Sequence, residues 1–337
     1  MAKHHPVSRP GTRNFKPVAV ARKPGRSAPS PSHRRPPSER LTSLISGSNV
    51  TRLNLPRGCF NAGLIAIPGE ARYVCVYRPN EHAFVSCILD ATLNIVGGSE
   101  MPLGLTNCAD PRLVWTPAGE LLMVYSSYDT GTYKMECIRG AVIGVIDPLT
   151  RTYLQREAQP FRISLPGETR QKNWMPFVAD GRVYLTASVR PHLVYELTEI
   201  GRFATPVSEA AWDSPWFNDQ FLRGNTNHVQ LADGNFLGTY HTAVRADTGM
   251  HYYDNGCYVF EPKPPFRVLR AGNRTYLPAE AAVEPHFRKA GIIKVCFPCG
   301  MVREGERLLI SYGDNDSSVK ILDTTVAEML QTTLTLY

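Results

Sequence analysis

The sequence predicts an all-β chain, a five-bladed β-propeller. The first observation is a strand, turn, strand unit that occurs five times, each with a glycine in its turn: Phe60 to Arg78, Asn107 to Asp129, Asn173 to Arg190, Asn227 to His241 and Phe297 to Gly313. The second is spacing. The turn glycines Gly69, Gly119, Gly181, Gly234 and Gly305 lie 50, 62, 53 and 71 residues apart, which is too long for single hairpins and suits four-strand blades with insertions. The third is that helical periodicity is nearly missing, with only Val207 to Ala211 and Thr325 to Leu330 as short candidates. A two-sheet sandwich would show strands at shorter intervals.

The chain divides into a basic, proline-rich tail over 1–45 and a single catalytic domain over 46–337. Residues 1 to 40 hold ten Lys/Arg, one acid (Glu39) and eight prolines, a composition too poor in apolar groups to repay the entropy of ordering. Of the 37 basic and 30 acidic residues in the chain, 27 and 29 therefore remain in the body, which is near neutral at about −2. The net charge of +7 belongs to the tail and does not mark the domain as a nucleic-acid binder. We read the tail as a solvated extension and expect no nucleic-acid partner. No apolar run reaches the roughly 18 residues of a membrane span, and no signal-peptide core follows the N-terminus, so a cytoplasmic location is expected.

Eight cysteines (59, 75, 87, 108, 137, 257, 296 and 299) are spread through strand-like segments with irregular spacing and read as buried thiols. Cys296 and Cys299 form a lone CxxC without the second pair that a zinc ribbon needs, so neither a metal nor a cofactor is expected.

Hairpin geometry gathers the candidate site. The start of the first strand and the end of the second lie at the same end, opposite the turn. Five repeats thus bring Asn61 with Arg78, Asp110 with Tyr128, Asn173 with Arg190, His228 with His241, and Cys299 with Asp314 and Asp316 to one rim. A mostly polar rim of Asp, Arg, Lys, His, Asn and Trp suits a sugar or phosphate, since hydroxyls need paired partners and an anion needs fixed cations. Each position also has a plain reading: Asp110 before a proline can merely start a turn, Arg78 can be a solvated strand end, Lys172-Asn173 a simple loop, and His228 and His241 satisfied core histidines. It is their common placement that favours a site.

At these hairpins the sequence resembles the five-bladed mannoside phosphorylases of glycoside hydrolase family 130 and the related β-1,2-mannosyltransferase/phosphorylases of glycosyltransferase family 108. The pieces that carry the likeness are Phe60-Asn61-Ala62-Gly63 leading to Tyr77-Arg78, Ala109-Asp110-Pro111-Arg112, Lys172-Asn173-Trp174-Met175-Pro176-Phe177, Tyr240-His241, and Phe297-Pro298-Cys299-Gly300 leading to Tyr312-Gly313-Asp314-Asn315-Asp316. Cys299-Gly300, and Lys172 where an arginine is common, draw the chain nearer to the transferase group. The resemblance implies that Asp110 is the single catalytic carboxylate of an inverting reaction on a β-mannosidic bond. It further implies that Asn61, Arg78, Asp316 and Trp174 hold the sugar, and that Lys172, Asn173, Arg223, Tyr240 and His241 hold phosphate. The partners implied are mannose oligosaccharides, mannose 1-phosphate and inorganic phosphate, with GDP-mannose as an alternative donor.

Physical chemistry is consistent with that assignment. An inverting hydrolase needs a second acid to activate water. A phosphorylase does not, because phosphate is the nucleophile and needs only a cationic cradle. Two other classes stay open: a two- or three-acid propeller hydrolase with Asp314, Asp316 or Glu284 as partner to Asp110, and a non-catalytic binding propeller.

Overall fold

The structure, a computed structural model, describes residues 48–80, 82–128, 135–163, 172–198, 203–213, 222–245, 251–285 and 293–336; the expected tail over 1–45 lies outside the described residues. The described chain is all-β. After a short strand β1 (Asn49–Arg52), the first sheet is β2 (Phe60–Ala66), β3 (Tyr73–Arg78), β4 (Ala83–Leu89) and β5 (Met101–Thr106). The second sheet is β6 (Cys108–Trp115), β7 (Glu120–Tyr128), β8 (Met135–Ile146) and β9 (Tyr153–Arg162). The third is β10 (Met175–Ala179), β11 (Arg182–Ser188), β12 (His192–Thr198) and β13 (Phe203–Ala210). Each of these three is antiparallel and follows chain order.

The rest forms one ten-stranded sheet. It comprises β14 (Leu222–Gly224), β15 (Val229–Gln230), β16 (Phe236–Arg245), β17 (His251–Phe260) and β18 (Val268–Gly272), then β19 (Ile293–Glu304), β20 (Arg307–Asp314) and β21 (Ser318–Thr325). A short helix α1 (Val326–Gln331) leads to β22 (Thr333–Thr335), which pairs with β18. Among the described residues, the two halves of this sheet are joined as strands where Tyr252 and its neighbours in β17 run parallel to Lys294 and its neighbours in β19. Strand β1, far away in sequence, pairs with β21 and completes that second half.

The inner strands are buried on both faces, and their period-2 alternation explains how. In β7, Leu121 and Met123 point into one apolar cluster with Val74 and Val76 of β3, while Leu122 and Val124 point into another with Val183 and Leu185 of β11. In β20, Leu308 and Ile310 join Leu237 and Val259, while Leu309 joins Leu64 and Cys75. A further cluster packs Phe177 and Tyr184 against Phe236 and Phe260. Apolar layers thus lie between successive strand sets. Each continuous apolar run in the sequence serves two cores at once, which is why it reads as unbroken rather than alternating.

The first strands of the sheets approach each other closely. A Cβ added to Gly300 of β19 would fall onto the backbone nitrogen of Leu64 in β2, and one added to Gly63 of β2 would sit 2.8 Å from the Pro111 carbonyl oxygen of β6. Gly300→Ala is therefore expected to lower stability by about 3 kcal/mol through backbone overpacking, read from chemical denaturation. An unchanged midpoint would show that β19 and β2 separate without cost.

Two expectations about helices divide. Thr325 to Leu330 is a helical turn: α1 starts at a capping box in which the Thr325 hydroxyl accepts from the Glu328 backbone N–H, and the Glu328 carboxylate accepts from the Thr325 N–H. Val207 to Ala211 is not, since through Ala210 it is part of β13, which pairs with β12 along its length; Pro206 just before it cannot donate within a helix. All eight cysteines are free thiols and seven are buried. Cys296 and Cys299 enter different apolar clusters, so their side chains do not converge. No helix among the described residues is long and apolar enough to cross a membrane.

Candidate active site

Register shifts at the mouths of the hairpins create the site. In β2, Phe60 pairs with Arg78 and Gly63 with Val76, which bulges out Asn61 and Ala62; in β6, Ala109 pairs with Ser126 and Arg112 with Val124, which bulges out Asp110 and Pro111. The bulged residues take left-handed backbone: Asn61 has φ 46° and Asp110 φ 59°, and Asn173 (φ 62°) and Asp316 (φ 52°) do the same on other elements. Asn and Asp are the non-glycine side chains that tolerate this region best, so the backbone itself selects small polar groups here.

The two bulges converge on one carboxylate. Asn61 Nδ2 donates to Asp110 Oδ1 at 3.0 Å, and Arg78 Nη1 reaches the same oxygen at 3.4 Å. Asp110 is 7% exposed, and the Arg78 guanidinium lies 4.4 Å from the Phe60 ring centroid, which fixes its plane. Beneath them, Arg112 is 1% exposed; its Nη1 donates to the Asp110 backbone oxygen at 2.8 Å and its Nε to the Asn225 backbone oxygen. Arg112 thereby braces the bulge that presents Asp110.

A cationic group faces this carboxylate. Burial, then the charges of Lys172, Arg223 and Arg112, hold the His241 imidazole well below its usual pKa. Burial followed by Arg223 likewise lowers Lys172, with Asp110 opposing the shift. The His241 ring stacks on Tyr253 with centroids 4.8 Å apart and meets Phe297 edge-on at 5.2 Å. Asn173, beside Lys172, is buried, and neither its amide nitrogen nor its oxygen has a hydrogen-bond partner among the described residues. Tyr128 is pushed up to about 12 by burial and then by Asp110, with Asp316 also acting on it. Asp316, Asp110 and Arg223 all act on the Tyr253 hydroxyl as well, so the two clusters share one field. Among the described residues, four cations, Arg78, Arg112, Lys172 and Arg223, stand against the carboxylates of Asp110 and Asp316, a balance that favours an anionic ligand.

The structure brings together Asn61, Arg78, Asp110, Asp316 and His241, which the hairpins place on one rim, with Lys172 and Arg223, which only the resemblance implied, and the Asn173 carbonyl oxygen lies against Gly224 of β14. Two candidates do not join them. Trp174 is a core residue, packed with Val114, Leu122 and Leu185 and 4.9 Å from the Tyr195 ring. Tyr240 is fully buried in the cluster of Phe177 and Phe260. Each neighbours a site residue: Tyr240 and His241 are adjacent in β16, where side chains alternate between sides, and Trp174 follows the left-handed turn at Asn173. His228 is also a core histidine, with Nε2 2.9 Å from the Thr186 hydroxyl. Among the acids weighed as a second carboxylate, Asp314 is spent on Lys320 (2.6 Å) and on the N–H groups of Val283 and Glu284, and Glu284 pairs with Arg52 at 3.0 Å. Sequence reasoning did not assign roles to Arg112, Asn225 and Tyr253. Arg112 carried a signal, a charge directly ahead of the apolar run Leu113 to Trp115; Asn225 and Tyr253 carried none.

The buried histidines make stability pH-dependent. His192, with Nδ1 2.8 Å from the Phe266 carbonyl oxygen, is lowered by burial from 6.5 to about 4. A base whose folded pKa is depressed loses stability as pH falls below its unfolded value, because the unfolded chain takes the proton first. His192 alone should cost about 2 kcal/mol at pH 5 relative to pH 7.5, rising to about 3 kcal/mol near pH 4. Urea titrations at the two pH values check this, and equal midpoints would contradict it.

The chain matches a protein family described as beta-1,4-mannooligosaccharide phosphorylase over residues 30–334. No curated protein sequence matches it. Among solved structures, a β-1,2-mannobiose phosphorylase from Listeria innocua, in complex with β-1,2-mannobiose, is similar with a TM-score of 0.54 at 13% identity, covering 87% of this chain and 94% of that one. A GDP-Man-dependent mannosyltransferase from Leishmania mexicana also has a TM-score of 0.54, at 14% identity over 84% and 91% of the two chains. A mannose phosphorylase from the same organism, in complex with phosphate ion, has a TM-score of 0.51 at 14% identity over 83% and 87%. At such identities the likeness bears on the fold.

Proposed function

The chain belongs to glycoside hydrolase family 130 and is an enzyme acting on mannosides; on that footing we propose that it is an inverting β-1,2-mannoside phosphorylase/mannosyltransferase on a five-bladed propeller. The five-bladed reading is supported by the apolar layers between successive strand sets and by β1 completing the last set through β21. The observation that carries the chemistry is the carboxylate at the bulge, Asp110, facing more cations than acids among the described residues, while Asp314 and Glu284 are committed elsewhere and Asp316 is read as a sugar ligand.

In phosphorolysis, Asp110 gives its proton to the glycosidic oxygen. Phosphate held by Lys172, Asn173, Arg223 and His241 attacks C1 from the opposite face, the C1–O bond breaks, and the product is α-mannose 1-phosphate. In synthesis Asp110 takes the proton back from the acceptor hydroxyl. Asn61, Arg78 and Asp316 hold the mannose unit. Phosphate is the nucleophile, so no second acid is required to activate water.

The reading is tested by incubating the protein with β-1,2-mannobiose with and without inorganic phosphate and following phosphorus NMR, and by offering mannose 1-phosphate or GDP-mannose with a mannose acceptor. Phosphate-dependent formation of α-mannose 1-phosphate supports it. Free mannose released at the same rate without phosphate would make the protein a hydrolase; this family of mannoside phosphorylases also contains glycoside hydrolases that target β-1,2-mannosidic linkages.

A further inference from the structure

His241 is held by two asparagines whose orientation is fixed. Asn255 Nδ2 donates to the carbonyl oxygens of Leu277 (2.9 Å) and Cys296 (3.0 Å). Carbonyls cannot donate, so the nitrogen of this amide must face them, and its Oδ1 is left to accept from Asn225 Nδ2 at 3.0 Å. Asn225 therefore turns its Oδ1 to His241, 2.7 Å from Nδ1. An amide oxygen only accepts, so Nδ1 carries the hydrogen. A neutral imidazole protonated at Nδ1 has a bare lone pair at Nε2. The ring is clamped between Tyr253 and Phe297, and Nε2 has no hydrogen-bond partner among the described residues.

We infer that His241 offers the bound anion a hydrogen-bond acceptor, so that the site selects an oxyanion that still carries a proton, hydrogen phosphate or a singly protonated sugar phosphate, and rejects one without a proton, such as sulfate. This rests on the reading that the Lys172, Arg223 and His241 cluster holds phosphate. The charges around His241 are the cations Lys172, Arg223 and Arg112, and they, with burial, oppose the alternative of charging the ring to suit a proton-free anion. Hydrogen phosphate has one P–OH group near neutral pH, and sulfate has none.

The step balances with that proton as a spectator. A phosphate O⁻ forms the bond to C1, the glycosidic C1–O bond breaks, and the proton on the Asp110 carboxyl passes to the leaving oxygen. The P–OH proton stays between phosphate and Nε2 throughout, so mannose 1-phosphate is formed as its monoanion. Hydrogen phosphate and protonated Asp110 together carry two negative charges before the step, and the monoanion and ionised Asp110 carry two after it.

The test is phosphorolysis of β-1,2-mannobiose at pH 7.5 by the full chain with sulfate as competitor, together with nitrogen NMR of the His241 ring. Sulfate is expected to bind at least about a hundredfold more weakly than phosphate, because a site built around an acceptor leaves it facing a bare oxyanion. The free protein should show hydrogen on Nδ1 and none on Nε2. In His241→Gln, whose amide can turn to donate, sulfate should compete within about tenfold of phosphate. Should that variant not fold, the competition and the spectrum of the parent protein decide alone. Phosphate-dependent cleavage with sulfate competing on equal terms, or hydrogen on Nε2, overturns the inference while leaving the phosphorylase reading intact. Cleavage indifferent to phosphate overturns both.

Discussion

Asp110→Asn is expected to fold like the parent and to lose at least about a hundredfold in turnover in both directions, the loss that removal of general acid/base assistance brings. Asparagine suits the test for structural reasons. It keeps the size of the side chain, it tolerates the left-handed backbone at φ 59°, and its oxygen can still accept from Asn61 Nδ2 and Arg78. What it cannot do is carry a proton to the glycosidic oxygen or take one from an acceptor. Alanine would add backbone strain to the loss of chemistry and confound the two. Turnover within a few-fold of the parent, at unchanged melting temperature, would remove Asp110 from the reaction.

Lys172→Ala should raise the phosphate KM by roughly tenfold to a hundredfold while changing the KM for mannobiose little. A charge-assisted contact to an anion is worth about 1.5 to 3 kcal/mol, and Lys172 is only half-buried, which favours the lower part of that range. Arg223 and Arg112 remain nearby in the variant, so the cradle keeps part of its charge. The same substitution should weaken mannose 1-phosphate in the synthetic direction. Equal effects on sugar and phosphate would place Lys172 in the sugar subsite or in the fold.

The hairpins were legible in the sequence because apolar runs separated by a glycine turn have few other outcomes in a chain without helical periodicity. Their outer partners were less so. Strand β9, Tyr153–Arg162, is largely solvent-facing and bears no apolar signature, and β13 carries a short apolar pattern that also fits a helix until its pairing with β12 is known. In the site, Asn61, Arg78 and Asp110 followed from hairpin geometry alone. Trp174 and Tyr240, which the resemblance had placed in the site, lie in the core, because a motif match does not fix which side of the chain a ring takes. Asn225 and Asn255 were invisible, since their roles arise from pairing across β14, β16 and β17 and from carbonyls of distant segments.

The left-handed backbone at Asn61, Asp110, Asn173 and Asp316 has an evolutionary consequence. Each of these positions accepts asparagine or aspartate at similar conformational cost, and a single-base change interconverts their codons. Drift can therefore add or delete a carboxylate at the heart of the site without disturbing a strand. A lineage could acquire a further acid at Asn61 or Asn173, and with it the means to activate water, while its sheets stayed unaltered. The same backbone would then host both phosphate transfer and hydrolysis, and an aspartate shared among relatives at one of these positions would testify to the shape of the chain as much as to its chemistry.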